Sequence, residues 1–204
     1  MMENIFVTIG WLIVVYILGS VPFGLIIAKT TKGIDLREVG SQNTGATNVA
    51  RTCGAKYGVL TLVLDIAKGC LPVIIATGIS SSALFLSLTG LAAIIGHMYS
   101  VFLNAKGGKG MATTIGAFAA LTPGPLFWSL VICILLIFAT GYVSLGSLTL
   151  VTLLPLFILV SGNWGMIVVS IIVMFLVYGK HRKNILRLAR GEEQPWQKNT
   201  AENK

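Results

Sequence analysis

The sequence predicts an all-α, polytopic membrane helix bundle of about seven short transmembrane helices, at roughly 20 apolar residues per crossing. Three observations carry that prediction. Of the 204 residues, 55% are hydrophobic and 11% are charged, against roughly 25% charged in an ordinary soluble domain. The apolar residues fall in long runs broken by turn signals. The charges fall between those runs, and the basic ones favour one side. Such a chain has too little polar surface for a soluble enzyme and too much apolar content for a disordered protein. Its three cysteines, Cys53, Cys70 and Cys133, are widely spaced and suggest neither a disulfide scaffold nor a metal site.

The first run covers residues 5–28. No basic segment precedes it and no small-residue cleavage site follows, so it reads as a retained helix rather than a signal peptide. A polar, glycine-rich stretch at 29–56 leads to apolar runs at 57–79 and 83–103, and a short charged loop at 106–109 follows the latter. From Met111 to Gly179 no residue is charged. Turn signals at 122–125, 140–142 and 161–164 divide that stretch into segments at 111–121, 125–139, 143–160 and 165–179. The first of these is short enough for a half-span or a re-entrant piece. The chain reads as one domain, 1–204, with 193–204 as a flexible tail.

Charge sets the expected sidedness. Of the 15 basic residues, 14 lie in 29–56, in 106–109 or beyond 179, and only Lys68 sits inside an apolar run. By the positive-inside bias the N-terminus faces out and the C-terminus faces the cytosol. An odd number of crossings, seven or five, fits this better than six. The same bias accounts for most of the net charge of +8, so nucleic acid is not an expected partner.

The polar chemistry clusters in three places, all on the expected cytosolic side. The first is DLREVGSQNTGATNVAR, residues 35–51, which offers Ser41, Asn43, Asn48 and Arg51 among small residues. Amides and hydroxyls supply donors and acceptors, and an arginine forks onto phosphate. The same residue types also make ordinary turns and helix caps. The second is GHMYSVFLNAKGGKGMAT, residues 96–113, with His97, Ser100, Lys106, Gly107, Gly108 and Lys109. Adjacent glycines between lysines can form a concave nest of N–H groups for an anion, although the pattern is not a Walker loop. A plain basic loop would leave the glycines unexplained. The third is KHRKNILRLARGEE, residues 180–193. Its arginines suit a helix lying on anionic lipid, but His181 and Asn184 share one helical face and ask for another reason. The chain's two histidines thus fall in one layer, where imidazole can orient a hydroxyl or shuttle a proton. Within the second apolar run, Asp65 and Lys68 are three apart and are expected to pair for structural support, since a lone charge there is costly. Nucleophile-elbow, zinc-protease and His-x4-Asp acyltransferase motifs are absent from the sequence.

The blocks GSVPFG (19–24), VGSQNTGATNVAR (39–51), LDIAKG (64–69), GHMYSVFLNAKGGKGMAT (96–113) and HRKNILRLARGEE (181–193) follow one another as in a known family. The chain resembles the acyl-phosphate-dependent glycerol-3-phosphate acyltransferases of bacterial inner membranes, often called PlsY. Gln42 stands where that family commonly has glycine, and Asn104-Ala105 replaces a more apolar pair. The resemblance implies transfer of a fatty acyl group from acyl phosphate to the 1-hydroxyl of sn-glycerol 3-phosphate, the first step of phospholipid synthesis. It implies no cofactor and no metal. The partners are the two substrates and membrane lipid, with no obligate protein partner. Ser41, Arg51, His97, Lys106, His181 and Asn184 would be catalytic. Asn43, Asn48, Ser100, Gly107, Gly108 and Lys109 would bind substrate or phosphate, and Glu192 would brace the tail. The competing class is a small transporter or channel for anions. Its site is expected near the bilayer midplane, where this sequence offers mainly Asp65 and Lys68.

Overall fold

The structure, a computed structural model, describes residues 5–196. Ten α-helices and no strands form among the described residues. Helix α1 (Ile5–Ser20) and helix α2 (Phe23–Lys32) make up one 28-residue apolar stretch. Pro22 interrupts it, because proline has no N–H to continue the ladder. A polar loop leads to helix α3 (Ala46–Cys53), and Gly54, at φ +105°, turns the chain sharply into helix α4 (Ala55–Thr77). Helix α5 (Ala83–Met98) ends in a single 3₁₀ turn, and the loop after it leads to helix α6 (Met111–Leu121). Helices α7 (Pro123–Thr140) and α8 (Val143–Val160) form an antiparallel hairpin. Helix α9 (Ile167–Lys180) bends by 65° into helix α10 (Arg182–Ala189).

The expected all-α membrane bundle is what forms, and each of the seven apolar runs is helical. Five helical stretches are long and apolar enough to cross a membrane, or six if the bent α9–α10 pair counts as one span. Helix α6 is not long enough. At 1.5 Å per residue it reaches about 16 Å, half of a typical hydrocarbon core. It lies against α4, where a Cβ on Gly69 would strike the carbonyl of Thr113 and one on Gly116 that of Ile66. Helices α1 and α5 touch in the same way, through Gly19 against Ala93 and Gly96 against Tyr16. In lipid, where apolar surface gains little by leaving the solvent, such close backbone contact is how helices associate.

The main core brings Phe118 of α6 together with Ile94 and Met98 of α5, Leu150, Leu154 and Ile158 of α8, and Val173 of α9. A smaller core of Leu25, Leu36, Val49 and Leu103 lies under the first polar loop. Phe6, Leu71, Phe138, Val160 and Phe175 are exposed around the outside, an apolar girdle that suits lipid and not water.

One ion pair lies inside the bundle. Lys68 and Asp65 meet at 2.7 Å with side chains 3% and 2% exposed. The Lys68 ammonium also donates to the Val21 carbonyl at 2.8 Å, an acceptor freed by the break at Pro22. Nδ1 of His97 faces Asp65 at 3.6 Å. The pairing read from the i, i+3 spacing therefore stands.

The start of the supposed tail is docked. The N–H of Trp196 donates to the Gly141 carbonyl at 2.9 Å, and its ring meets Phe138 edge-on. Residues 193–196 thus form a strap from α10 to the α7–α8 turn, while the rest of that tail, 197–204, lies outside the described residues.

Removing one partner of a buried pair strands the other charge, at about 3–5 kcal/mol. Lys68→Met is expected to lower the melting temperature in detergent strongly. Adding Asp65→Leu to it should recover part of the loss. A double variant no more stable than the single one would show that the stranded charge is not the cause.

Candidate active site

The first polar cluster folds around Asn48. Its side chain is buried at the start of α3 and spends its capacity on the loop before it. The carbonyl oxygen accepts from the N–H of Ser41 at 3.0 Å, and the amide donates to the carbonyls of Val39 and Asn43 at 3.1 and 2.9 Å. Asn48 is therefore a clamp for the loop, not the free ligand contact expected from the sequence. The clamp requires tight turns: Gly40 and Gln42 have φ of +62° and +56°. Glycine adopts this left-handed conformation at the least cost, so the backbone at Gln42 is strained. Asn43 accepts from the N–H of Gly45, and Ser41 stands free beside it. Arg51, one turn beyond Asn48, reaches the strap and donates to the carbonyls of Gln194 and Pro195, both at 3.2 Å.

The second cluster is built on His97. The N–H groups of Gly108 and Gly107 donate to the carbonyls of His97 and Met98 at 3.1 and 3.2 Å. These N–H groups are already paired, so the expected anion nest does not form. The glycines serve close approach instead: a Cβ on Gly108 would strike the His97 ring, and one on Gly107 the His97 carbonyl. Lys106 is exposed and does not line the cavity described below, contrary to its expected role. Ser100 is also elsewhere. Its buried hydroxyl donates to the Ser20 carbonyl at 2.6 Å and accepts from the N–H of Phe102, which joins α5 to α1. Lys109 does reach the site, donating to Oδ1 of Asn184 at 2.6 Å. Burial lowers its ammonium to about 8, and Arg187 and Arg51 push the same way against the opposing charge of Glu193.

The third cluster lies at the α9–α10 bend. The buried His181 ring donates through Nδ1 to the Val177 carbonyl at 2.9 Å, so in the neutral ring Nε2 is left as an acceptor. Asn184 follows on α10, with its amide donating to Oε1 of Glu193 at 2.6 Å. Glu193 is the hub here. It also accepts from Ser144 of α8 at 2.7 Å and from Nε of Arg187 at 2.9 Å. Burial works to raise its carboxyl, but the hydrogen bonds from Ser144 and Asn184 and the Arg187 charge hold it below the usual carboxylate range. The bracing carboxylate is thus Glu193 and not Glu192, whose exposed side chain has no partner among the described residues. Gly191, at φ +69°, reverses the chain after α10 and turns the second of the two glutamates inward. Ser144 and the strap carbonyls escaped the sequence reading too. Ser144 is an unmarked polar residue in a charge-free stretch, and a carbonyl leaves no mark in a sequence.

All three clusters open on one cavity of about 720 Å³. Its polar end holds Ser41, Asn43, Arg51, Lys109, His181 and Asn184, with His97 and Asp65 on its inner wall. Its other end is apolar, between Val59 and Leu62 of α4, Ile115 of α6, Leu130 and Cys133 of α7, and Leu150 of α8. Lys68, Lys106, Gly107, Gly108 and Ser100 do not line it. A separate water-sized space of about 10 Å³ lies beside Lys68 and Ser100. Among the described residues no group of three or more His, Cys, Asp or Glu side chains could hold a metal ion. Of the two carboxylates that line the cavity, Asp65 is already paired with Lys68, and Arg51, Lys109 and Arg187 outnumber the other, Glu193, so the cavity suits a molecule that is anionic at one end and apolar at the other.

Known proteins are similar to this chain in sequence and in fold. Residues 9–191 match the family described as glycerol-3-phosphate acyltransferase. A glycerol-3-phosphate acyltransferase of Nitratidesulfovibrio vulgaris is 56% identical over 188 residues, covering 92% of this chain and 58% of that protein. One from Maridesulfovibrio salexigens is 50% identical, covering 93% of this chain and 97% of its own length. The crystal structure of PlsY, an integral membrane glycerol 3-phosphate acyltransferase, in its glycerol 3-phosphate form superposes with a TM-score of 0.91 at 40% identity, over 97% of this chain and 99% of that one. Its lysophosphatidic acid form gives 0.86 at the same identity, over 92% and 94%. With sequence and fold agreeing over nearly the whole length, this chain belongs to the glycerol-3-phosphate acyltransferase family.

Proposed function

We propose that the protein moves a fatty acyl group from acyl phosphate to the 1-hydroxyl of sn-glycerol 3-phosphate, releasing lysophosphatidic acid and inorganic phosphate. The observation that carries this reading is the single cavity with a cationic end and an apolar end. Both substrates bring a phosphate to the cationic end, and the donor's chain fills the apolar one. The PlsY structures hold glycerol 3-phosphate and lysophosphatidic acid, an acceptor and a product of that chemistry.

Acyl phosphate is already activated, so the acceptor hydroxyl can attack its carbonyl directly. The new C–O ester bond forms, the bond from the acyl carbon to the phosphate oxygen breaks, and the electron pair leaves with phosphate. The hydroxyl proton passes to a substrate phosphate. An acyl-enzyme would need an activated nucleophile. The Ser41 hydroxyl has no base within hydrogen-bonding distance among the described residues, which supports direct attack. Arg51 takes a phosphate in its fork, Lys109 adds a point charge, and Nε2 of His181 accepts from a glycerol hydroxyl. The protein's contribution is then proximity and charge stabilisation.

The polar end faces the cytosol of a bacterial inner membrane, with the N-terminus outside and the C-terminus inside. The concentration of basic residues at one end of the bundle supports this orientation. Beyond Leu130 and Leu150 the cavity meets the packed core of Leu126, Leu154 and Phe118. A blind end favours an enzyme over a conduit for anions.

Purified protein in a lipidic medium should release phosphate only when palmitoyl phosphate and glycerol 3-phosphate are both present, with palmitoyl-CoA inert as donor. No turnover by well-folded protein would remove the assignment. In the same assay Arg51→Ala is expected to cost about 100-fold or more in kcat, the scale for losing one donor to developing charge. Near-normal turnover would take Arg51 out of the site. With an ammonium near 8, Lys109 loses its charge as pH rises through that value. The kcat/KM for glycerol 3-phosphate should therefore be maintained below about pH 8 and fall above it, since this ratio reports the free enzyme. Lys109→Arg, which stays charged, should remove the alkaline fall. A fall unchanged in that variant would assign it to another group.

A further inference from the structure

We propose that the closed end of the cavity gauges the length of the acyl chain, with Leu130 and Leu150 as its floor and Cys133 as part of its wall. The proposal rests on the acyl-phosphate reading above. It adds which residues set the donor's length and what form the limit takes.

The helices that line the cavity give its depth. From Val143, the first residue of α8, to Leu150 is about 10 Å of helix. From Thr140, the last residue of α7, back to Leu130 is about 15 Å. One turn deeper on the same helices stand Leu154 and Leu126, and neither lines the cavity. They are packed with Phe118 into the main core, all at most 3% exposed. The floor is therefore backed by a complete core layer, which does not yield easily to an extra methylene.

The sides differ around the circumference of the cavity. Val59 of α4 and Ile134 of α7 line the cavity and are also 59% and 47% exposed. The cavity is thus open to lipid on the side between α4 and α7, where a donor dissolved in the bilayer can enter. Cys133 and Leu150, in contrast, are buried. A chain that enters with its carbonyl toward Arg51 and Lys109 sends its methyl end toward this closed pocket.

The medium dictates the form of the limit. A methylene that leaves lipid for the cavity gains little, because lipid is as apolar as the pocket. Rates should therefore not climb steadily with chain length. A chain too long for the pocket must press on a packed floor, and overpacking is costly. The gauge is a step: donors up to a given length react similarly, and longer ones react at least about tenfold more slowly.

The test measures kcat/KM for dodecanoyl, tetradecanoyl, hexadecanoyl and octadecanoyl phosphates at saturating glycerol 3-phosphate, in the full-length protein. Leu150→Ala lowers the floor and should move the step to longer donors. Cys133→Phe fills the pocket and should move it to shorter ones. The octadecanoyl-to-dodecanoyl ratio is expected to change about tenfold, in opposite directions in the two variants. Should Leu150→Ala fail to fold, Leu130→Ala, at a less buried position, makes the same prediction. Profiles that coincide with the natural protein's in the folded variants overturn the gauge and mean that the chain leaves through the gap between α4 and α7. Failure of the natural protein to use any of the four donors overturns the acyl-phosphate reading and the gauge with it. Turnover by the natural protein with unmoved variants overturns the gauge alone.

Discussion

A buried charge organises this fold. Asp65 sits ten residues into α4, where an unpaired carboxylate is costly, and Lys68 answers it from the next turn. Lys68 has donors to spare and takes the Val21 carbonyl released by the break between α1 and α2. Asp65 also faces His97 near the end of α5. The pair thus connects three elements: α4, the break between α1 and α2, and α5. From His97 the order continues outward. Its carbonyl and that of Met98 hold the two glycines of the following loop, and the loop carries Lys109 to Asn184. Asn184 holds Glu193, and the strap beyond Glu193 offers its carbonyls to Arg51. The ion pair takes no direct part in the proposed reaction, yet it stands at one end of a continuous set of contacts that ends at the two cations expected to meet phosphate.

Small residues make that arrangement possible in lipid. Gly69 and Gly116 bring α4 and α6 into backbone contact, and Gly146 brings α8 against Cys133 and Ile137 of α7. Helix–helix association in a membrane depends on such close packing. Because α6 is too short to span, it serves as a wedge behind the cavity while longer helices around it meet the lipid. The apolar end of the cavity is therefore lined by helices that are themselves held rigidly.

Much of this was legible in the sequence because it follows from transfer energetics. Long apolar runs must be helices in a bilayer, since every backbone group has to be satisfied within its own segment. The Asp65–Lys68 spacing announced a pair, and the three polar clusters fall on one side. Legibility ended where backbone geometry decides what a polar residue does. Asn48 and Ser100 carry the chemistry of ligand contacts, but nearby carbonyls and N–H groups consume them. Gly107 and Gly108 suggest a nest, but His97 lies beneath them. Lys106 and Lys109 look equivalent, and only the path of the loop separates an exposed cation from a half-buried one. The choice between Glu192 and Glu193 turns on one left-handed glycine.

The resting partners of the cations bear on how the site works. Arg51 is held by two backbone carbonyls and Lys109 by a side-chain amide. All three acceptors are neutral. They fix the positions of the cations without cancelling their charge, as a carboxylate would. Glu193 is instead engaged by Arg187, Ser144 and Asn184, and Asp65 by Lys68. A phosphate arriving at Arg51 and Lys109 therefore displaces weak acceptors and forms charge-assisted bonds roughly twice as strong as neutral ones. It meets groups that are already in place, so little reorganisation is left for the moment when charge develops on the leaving phosphate. For a donor that brings its own activation, pre-positioned and uncancelled positive charge is the main thing the protein has to provide.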